Sequence, residues 1–217
     1  MEYEPGREAC PLPFSPFKSC TVPRPIGWLS TISADGVHNL APYSQWQNLT
    51  FDPPLVMFAA NQYPDGRRKD TVLNAEATGW FTWNMATYDL REAMNITAMA
   101  VPAGTDEFDA AGLTKAPCKL APGARVQESP CHFECRYLST HRLPGNSPVG
   151  WVDVVYGQVE LIHVADKVIG ADGKLDIPAI RPIARMGYYD YAVVDQVFEM
   201  RIPNASDDEA AGLEGKT

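Results

Sequence analysis

Residues 22–74 read VPRPIGWLSTISADGVHNLAPYSQWQNLTFDPPLVMFAANQYPDGRRKDTVLN and contain three strand signals followed by a cationic loop. Ile26–Ile32 is rich in β-branched and aromatic residues, which favour strands. The Asp35-Gly36 pair predicts a tight turn into a second strand from Val37 to Trp46. Leu55–Ala60 is a continuous apolar run, typical of a strand that is buried on both faces.

The cationic loop follows the third strand. Residues 64–66, Pro-Asp-Gly, predict a turn, and Arg67, Arg68 and Lys69 come directly after it. Asp70 and Thr71 then open an apolar-periodic stretch that predicts a helix start. Free N–H groups and the positive dipole end make a helix N-terminus suitable for a phosphate. The alternative is a solvated basic turn before an ordinary helix.

The rest of the chain continues the β pattern. Further strands are predicted at Gly79–Asn84, Cys131–Ser139, Trp151–Val164, Tyr189–Val194 and Val197–Ile202. Helices are predicted over Tyr88–Asn95, from Thr105–Phe108 and over Ile177–Ala184. Gly157 indicates a bulge or a close backbone approach. Strands outnumber helices and turns recur at short intervals, so we predict a mainly β, antiparallel, Greek-key-like barrel with a few peripheral helices.

Composition limits the function classes. The 217 residues carry a formal net charge of −9, which argues against a nucleic-acid partner. No run of about 18 apolar residues predicts a membrane span, and the acidic start does not resemble a signal peptide. Five cysteines at irregular spacing predict reduced thiols in a cytoplasmic protein. We expect a single domain over residues 1–203 and a frayed acidic tail over 204–217.

The sequence lacks the motifs that are typical of several kinds of functional site. The four histidines are far apart in the sequence, so no metal site is predicted. Neither a dinucleotide-binding GxGxxG motif nor a P-loop is present. A nicotinamide, if used, must therefore visit the site transiently and stack on a group that is already bound.

Taken together, these pieces resemble the flavin reductase-like family of FMN-binding split β-barrels over roughly residues 8–200. The resemblance rests on Pro23–Gly27, Ser30-Thr31, Asn39–Ser44, Pro53–Val56, Arg67–Thr71, Gly157–His163, and Arg185-Met186-Gly187 followed by Tyr189. The family pattern often has two glycines after Arg-Leu near its end. Met186 and Tyr188 depart from that pattern.

The resemblance implies FMN as cofactor, NADH or NADPH as transient co-substrate, and a homodimer with flavin at the subunit interface. It implies that Lys69, Arg67 and Thr71 hold the phosphate with help from Ser30 or Thr31. The remaining expected cofactor contacts face the ring and ribityl chain or lie beside it: Ala41, Tyr43, Ser44, Gln45, Trp46, Gln47, Asn48, Asp70 and Tyr189. The amide-rich run at 44–48 could equally be a solvated loop.

His163 ends the strand that contains Gly157. It could orient nicotinamide at the flavin, or it could be a structural histidine bonded to backbone. The expected activity is NAD(P)H-dependent flavin reduction, serving a flavin-dependent monooxygenase or another electron acceptor. A non-enzymatic FMN electron carrier and a pyridoxamine phosphate oxidase-like enzyme remain open alternatives. Residues 101–123 are expected to leave the barrel and cover the flavin or contact a partner subunit.

Overall fold

The computed structural model describes residues 1–102, 104–146, 149–204 and 206. The helices in this part of the chain are α1 (Phe17–Cys20), α2 (Asp70–Thr78), α3 (Arg91–Ile96), α4 (Glu107–Ala110) and α5 (Ile177–Ile180), with 3-10 turns at Tyr88–Leu90 and Asp166–Val168. The strands are β1 (Arg24–Pro25), β2 (Gly27–Ile32), β3 (His38–Tyr43), β4 (Trp46–Phe51), β5 (Pro54–Asn61), β6 (Trp80–Asn84), β7 (Lys115–Pro117), β8 (Ala124–Val126), β9 (Cys131–Leu143), β10 (Val152–Val164), β11 (Ile183–Arg185) and β12 (Tyr191–Val193).

The main sheet has seven strands in the order β3-β2-β6-β9-β10-β5-β4, and every neighbouring pair is antiparallel. It curls so that Tyr43 on β3 packs on Phe58 on β5, with ring centroids 5.3 Å apart. Buried apolar side chains fill its inside, among them Leu29, Val56, Phe58, Val72, Phe81 and Val155. The predicted mainly β, antiparallel barrel with a few peripheral helices is confirmed.

Two glycines explain how the strands are connected and packed. Gly36 has φ +83° and closes the turn between β2 and β3, where its N–H donates to Ser33 O at 3.0 Å. A Cβ on Gly157 would lie 2.5 Å from Phe81 Cζ. The pairing of β9 with β10 also shifts register between Tyr156 and Gly157. Both the predicted turn and the predicted bulge with close approach are confirmed.

A second apolar cluster covers one end of the barrel. Trp28 and Leu40 from the barrel pack there with Met94 on α3 and Phe108 on α4. The indole Nε1 of Trp28 donates to Thr97 Oγ1 at 2.9 Å. The stretch over 101–123, described except for residue 103, therefore lies outside the main sheet and packs against it through α4.

Three predicted elements differ from the observed ones. The second strand breaks at Ser44-Gln45, and the unpredicted strand β4 begins at Trp46. The break is fixed by Ala59 N, which donates to Gln45 O at 2.8 Å. The predicted strand Val197–Ile202 is wrong, because these residues are exposed and pair with no strand among the described residues. The predicted helix over Ile177–Ala184 ends at Ile180.

The cysteines are free thiols. Burial raises the pKa of the Cys118 thiol to about 11, and Cys131 and Cys135 are buried in the fold. Such thiols pack as small apolar groups. Within the described ranges, no helix is long and apolar enough to span a bilayer. In the predicted tail, residues 205 and 207–217 lie outside the described residues.

Candidate functional site

A cleft of about 300 Å³ lies where the ends of β3 and β5 meet the start of α2. Its walls combine strand ends, the chain after β5, the first residues of α2 and the segment after α3. The lining residues are Asn39, Ala41, Pro42, Tyr43, Ser44, Gln45, Ala59, Ala60, Asn61, Gln62, Tyr63, Lys69, Asp70, Thr71, Thr97, Ala98, Met99 and Glu107. This volume is at the lower end of the range for small-molecule sites.

The first turn of α2 forms one end of the cleft. The predicted turn at 64–66 redirects the chain here, and Gly66 has φ +88°. The first helical hydrogen bond runs from Val72 N to Lys69 O at 3.0 Å. The N–H groups of Asp70 and Thr71 precede that bond, so they remain available together with the positive end of the helix dipole. The cleft therefore has an anion-attracting end.

Lys69 is the residue immediately before α2 and carries the positive charge of this end. Its Nζ lies 3.4 Å from the centroid of the Tyr63 ring. It forms no ion pair with a carboxylate among the described residues. Burial lowers the pKa of Lys69, because desolvation disfavours the ammonium form. An anion in the cleft would supply the missing counter-charge.

Thr71 is held by a buried network beneath the cleft. Its Oγ1 accepts hydrogen bonds from Asn39 Nδ2 and from the Tyr43 hydroxyl, each at 2.9 Å. Behind it, Thr31 Oγ1 accepts from Asn39 Nδ2 at 3.1 Å and from Asn74 Nδ2 at 3.2 Å. Because Thr71 Oγ1 already accepts two bonds, its own proton is left as a donor for a ligand.

Glu107 brings a carboxyl group from α4 to the same cleft. Its Oε2 accepts a hydrogen bond from Leu40 N at 2.9 Å. The side chain is almost fully buried, and burial raises the pKa of the Glu107 carboxyl. The bond to Leu40 ties α4 to β3, so Glu107 both closes the cleft and fixes its wall.

Comparison with known proteins identifies the family of this chain. The family model of the flavin reductase like domain matches residues 19–190. The chain belongs to the flavin reductase-like family. An uncharacterized protein of Aquifex aeolicus (strain VF5) is 37% identical over 170 residues, which cover 77% of this chain and 84% of that protein.

Solved structures agree with the family assignment. Nitrilotriacetate monooxygenase component B from Bacillus cereus matches with a TM-score of 0.84 and 26% identity, covering 92% of this chain and 98% of that one. Flavoredoxin of Desulfovibrio vulgaris (Miyazaki F) matches with a TM-score of 0.73 and 17% identity, covering 94% and 99%. The latter likeness concerns the fold alone. The split-barrel fold expected from the sequence is confirmed.

About half of the residues predicted to contact the cofactor line the cleft of this flavin reductase-like chain. They come from the end of β3, the bend after it and the start of α2: Ala41, Tyr43, Ser44, Gln45, Lys69, Asp70 and Thr71. Two others, Ser30 and Thr31, are buried behind the wall. Ser30 Oγ donates to Ala124 O at 2.7 Å, whereas Thr31 supports the Thr71 network.

Three residues of the amide-rich run lie outside the cleft because β4 starts there. Trp46 points into the barrel and stacks on Trp83, with centroids 5.9 Å apart. Gln47 and Asn48 are exposed on β4, and Gln47 Nε2 donates to Asn48 Oδ1 at 2.7 Å. Of the four polar side chains grouped in the sequence, only Ser44 and Gln45 reach the cleft.

The three cations of the loop have different partners. Arg67 Nε bonds to Asp65 Oδ2 at 2.8 Å at an exposed position. Arg68 donates to both carboxylate oxygens of Glu76, at 2.8 and 2.6 Å, and to Asp153 Oδ2 at 2.9 Å. Neither arginine lines the cleft. Of the three, Lys69 is the cation that reaches it.

His163 and Tyr189 also lie apart from the cleft lining. His163 Nε2 lies 2.6 Å from Oε1 of the fully buried Glu134. That carboxylate also accepts bonds from the N–H groups of residues 119–121. His163 is therefore bonded to a buried carboxylate, whereas the structural alternative expected a backbone partner. The Tyr189 side chain is 91% exposed, in the loop that departs from the family pattern.

Sequence reasoning missed several cleft residues. Asn61, Gln62 and Tyr63 follow directly on the buried strand β5, a position where binding groups often emerge, and this signal was available. Asn39 was noted only as part of the resemblance. Glu107 and Met99 come from the segment after α3, and no local pattern places that segment against β3.

Proposed function

We propose that this chain binds FMN in the cleft and catalyses the reduction of flavin by NADH or NADPH. The observation that carries the proposal is the anion-attracting end formed by Lys69, Thr71 and the first N–H groups of α2. A terminal phosphate needs such a combination of ammonium, hydroxyl and helix N-terminus. An uncharged ligand would leave Lys69 without a counter-charge.

The rest of the cleft also fits a flavin mononucleotide. Its lining offers hydroxyl and amide groups together with small apolar residues. Ser44, Gln45, Asn61 and Gln62 can pair with the polar edge of a flavin and with its ribityl hydroxyls. Ala59, Ala60 and Ala98 leave room for a planar ring. The donor set therefore matches phosphate, sugar alcohol and ring in one continuous site.

The chain's own contribution is positioning. Bound FMN supplies the two-electron chemistry that side chains lack. Lys69 and Thr71 hold the phosphate, and the hydrogen bond from Ala59 to Gln45 fixes the bend that meets the ring edge. Ala98, Pro42 and Ser44 also line a second cavity of about 460 Å³, which gives a second molecule access. No acid or base of the protein is required for the transfer itself.

The same proposal includes a homodimer. β4 is the last strand of the main sheet, and Leu49 and Phe51 on it are 49% and 71% exposed. The extended segment after β12 exposes Val197, Phe198 and Met200. Apolar side chains exposed on an edge strand are normally covered, and a second copy of this chain would cover them.

Steady-state oxidation of NADH and NADPH, with and without added FMN, tests the activity. A reductase turns over added flavin many times per protein molecule. An electron carrier would show a flavin spectrum but oxidise the nicotinamide only with a protein acceptor such as a monooxygenase. A pyridoxamine phosphate oxidase-like enzyme would consume an amine and oxygen instead. Absence of a flavin spectrum from the protein, after mixing with FMN and removal of unbound FMN, would contradict the proposal as a whole.

A further inference from the structure

The second cavity, of about 460 Å³, adjoins the cleft and has a different character. Lys18, Arg24 and Arg185 bring positive charge to it, and Phe17, Tyr188 and Tyr191 bring aromatic rings. None of the described residues that line it is an aspartate or a glutamate. A cavity with this composition suits a ligand that has both an aromatic ring and a negative charge.

The two arginines lack carboxylate partners within the described residues. Arg24 donates to backbone carbonyls instead: to Lys18 O, to Thr21 O at 2.9 Å and to Met186 O at 2.7 Å. Its Nε is buried and has no hydrogen-bond partner. Arg185 donates to Tyr188 O. Burial and the nearby charge of Arg185 lower the pKa of Arg24.

The two like charges lie together in a chain whose formal net charge is −9. Elsewhere Arg68, Arg136 and Arg142 each bond a carboxylate within 3.0 Å. Two neighbouring guanidinium groups without a counter-ion are destabilising, and a bound anion offsets that repulsion. The charge arrangement therefore favours a ligand that supplies the anion.

On the aromatic side of the cavity, the backbone of Tyr188 has an unfavourable conformation. Its φ is +54°, a left-handed conformation that a side chain of this size rarely adopts. The neighbouring Gly187 packs so tightly that a Cβ there would meet Ser19 Oγ at 1.9 Å. The Tyr188 ring packs edge-on against Phe14, with centroids 5.8 Å apart. Such strain persists where the surroundings enforce it, often at ligand sites.

We propose that this cavity is a substrate subsite for an aromatic anion, with Arg185 and Arg24 recognising the negative group and Tyr188 and Tyr191 contacting the ring. The inference rests on the proposed function, because Pro42, Ser44 and Ala98 line both cavities and bring this ligand beside the flavin site. Two sources share this chemistry. One is the adenosine diphosphate part of a nicotinamide dinucleotide, and the other is an aromatic carboxylate.

Isothermal titration of the FMN-loaded protein with benzoate, benzamide and ADP-ribose tests the subsite. Benzoate and benzamide have the same ring but differ in charge. We expect at least one of the two anions to bind about tenfold or more tightly than benzamide, and Arg185→Gln to remove about tenfold or more of that affinity. Arg185→Lys keeps the charge and should retain part of it. Arg181→Gln, which removes an arginine outside both cavities, is the matched control.

The two anions separate the sources. Loss of ADP-ribose affinity in Arg185→Gln assigns the cavity to the dinucleotide, and loss of benzoate affinity assigns it to aromatic carboxylates. No binding of either anion, an affinity for both anions no higher than that for benzamide, or unchanged anion affinity in Arg185→Gln would overturn the proposal. The same titrations are repeated on flavin-free protein, so that the two proposals are tested separately. Failure of FMN to bind would contradict the proposed function, whereas the anion titrations test only the second cavity.

Discussion

At the scale of single residues, Lys69 is the group on which the phosphate assignment depends. A charge-assisted hydrogen bond to a phosphate in a partly shielded site is worth roughly 1.5–3 kcal/mol. At about 1.4 kcal/mol per decade, Lys69→Ala should weaken FMN binding ~10- to 150-fold. Riboflavin lacks the phosphate, so its affinity should barely change. Fluorescence titration of both flavins into wild type and variant measures the difference.

Arg67→Ala is the matched control for this measurement. It removes the same charge from the same loop, but Arg67 bonds to Asp65 instead of facing the cleft. We expect FMN affinity to change by less than about threefold, because an exposed ion pair contributes little. Equal losses of FMN affinity in Lys69→Ala and Arg67→Ala would show that FMN binding depends on the overall charge of the loop. Equal losses of affinity for FMN and for riboflavin in Lys69→Ala would show that the phosphate binds elsewhere.

Thr71→Val tests the network beneath the phosphate site. The change keeps the shape but removes the oxygen that accepts from Asn39 and Tyr43. Two buried donors then lose a partner, at a cost of roughly 1–3 kcal/mol each. We expect lower stability without FMN in chemical unfolding, in addition to weaker FMN binding. Thr71→Ser, which restores the hydroxyl, should recover most of both. Unchanged stability of Thr71→Val would contradict the network.

The sequence could identify this loop but not its one cleft-facing cation. Arg67, Arg68 and Lys69 are adjacent and equally charged, so composition treats them alike. Arg67 bonds to Asp65 two residues before it, whereas Arg68 bonds to Asp153 on β10. A partner as distant along the chain as Asp153 leaves no local pattern. The same reason explains why Glu107 was missed.

At the scale of elements, Arg68 holds α2 against the barrel and so positions the phosphate end. It bridges Glu76 on α2 and the buried Asp153 on β10. Breaking a buried pair costs roughly 3–5 kcal/mol. Arg142 still pairs with Asp153, so we expect Arg68→Gln to lose stability near the lower end of that range at pH 7. Urea unfolding measures the loss.

The pH dependence of that loss identifies its cause. The hydrogen bond from Arg68 lowers the pKa of Glu76 below 4.5. A lowered folded-state pKa contributes stability that is present above the unfolded value and disappears as the pH falls through the folded value. The gap between wild type and Arg68→Gln should therefore narrow below about pH 4.5. A gap that stays constant with pH would assign the effect to packing instead of charge.

The strands that the sequence predicts correctly are those that pair with another strand of the same chain. β2, β5, β6 and β10 were found from their β-branched and apolar runs. Val197–Ile202 has the same local character, yet it pairs with nothing among the described residues. β-Propensity reports suitability for a pleated surface, not the presence of a neighbour. β4 was missed for the opposite reason, because its polar run pairs with β5 despite weak propensity.

At the scale of the whole molecule, these unpaired apolar surfaces lead to the prediction of a dimer. Leu49 and Phe51 project from an edge strand with no cover in the described part of the chain. Burying such side chains against a second copy is favourable by roughly 25 cal/mol per Å² of apolar surface. We expect sedimentation to show a dimer at micromolar concentration, and Phe51→Asp to shift it towards monomer, since a buried unpaired charge opposes association. Leu175→Asp, which changes an exposed leucine far from β4 in sequence, is the control and should leave the dimer intact. A wild-type monomer that binds FMN normally would show that the cleft is complete within one chain and that the exposed edge has another use.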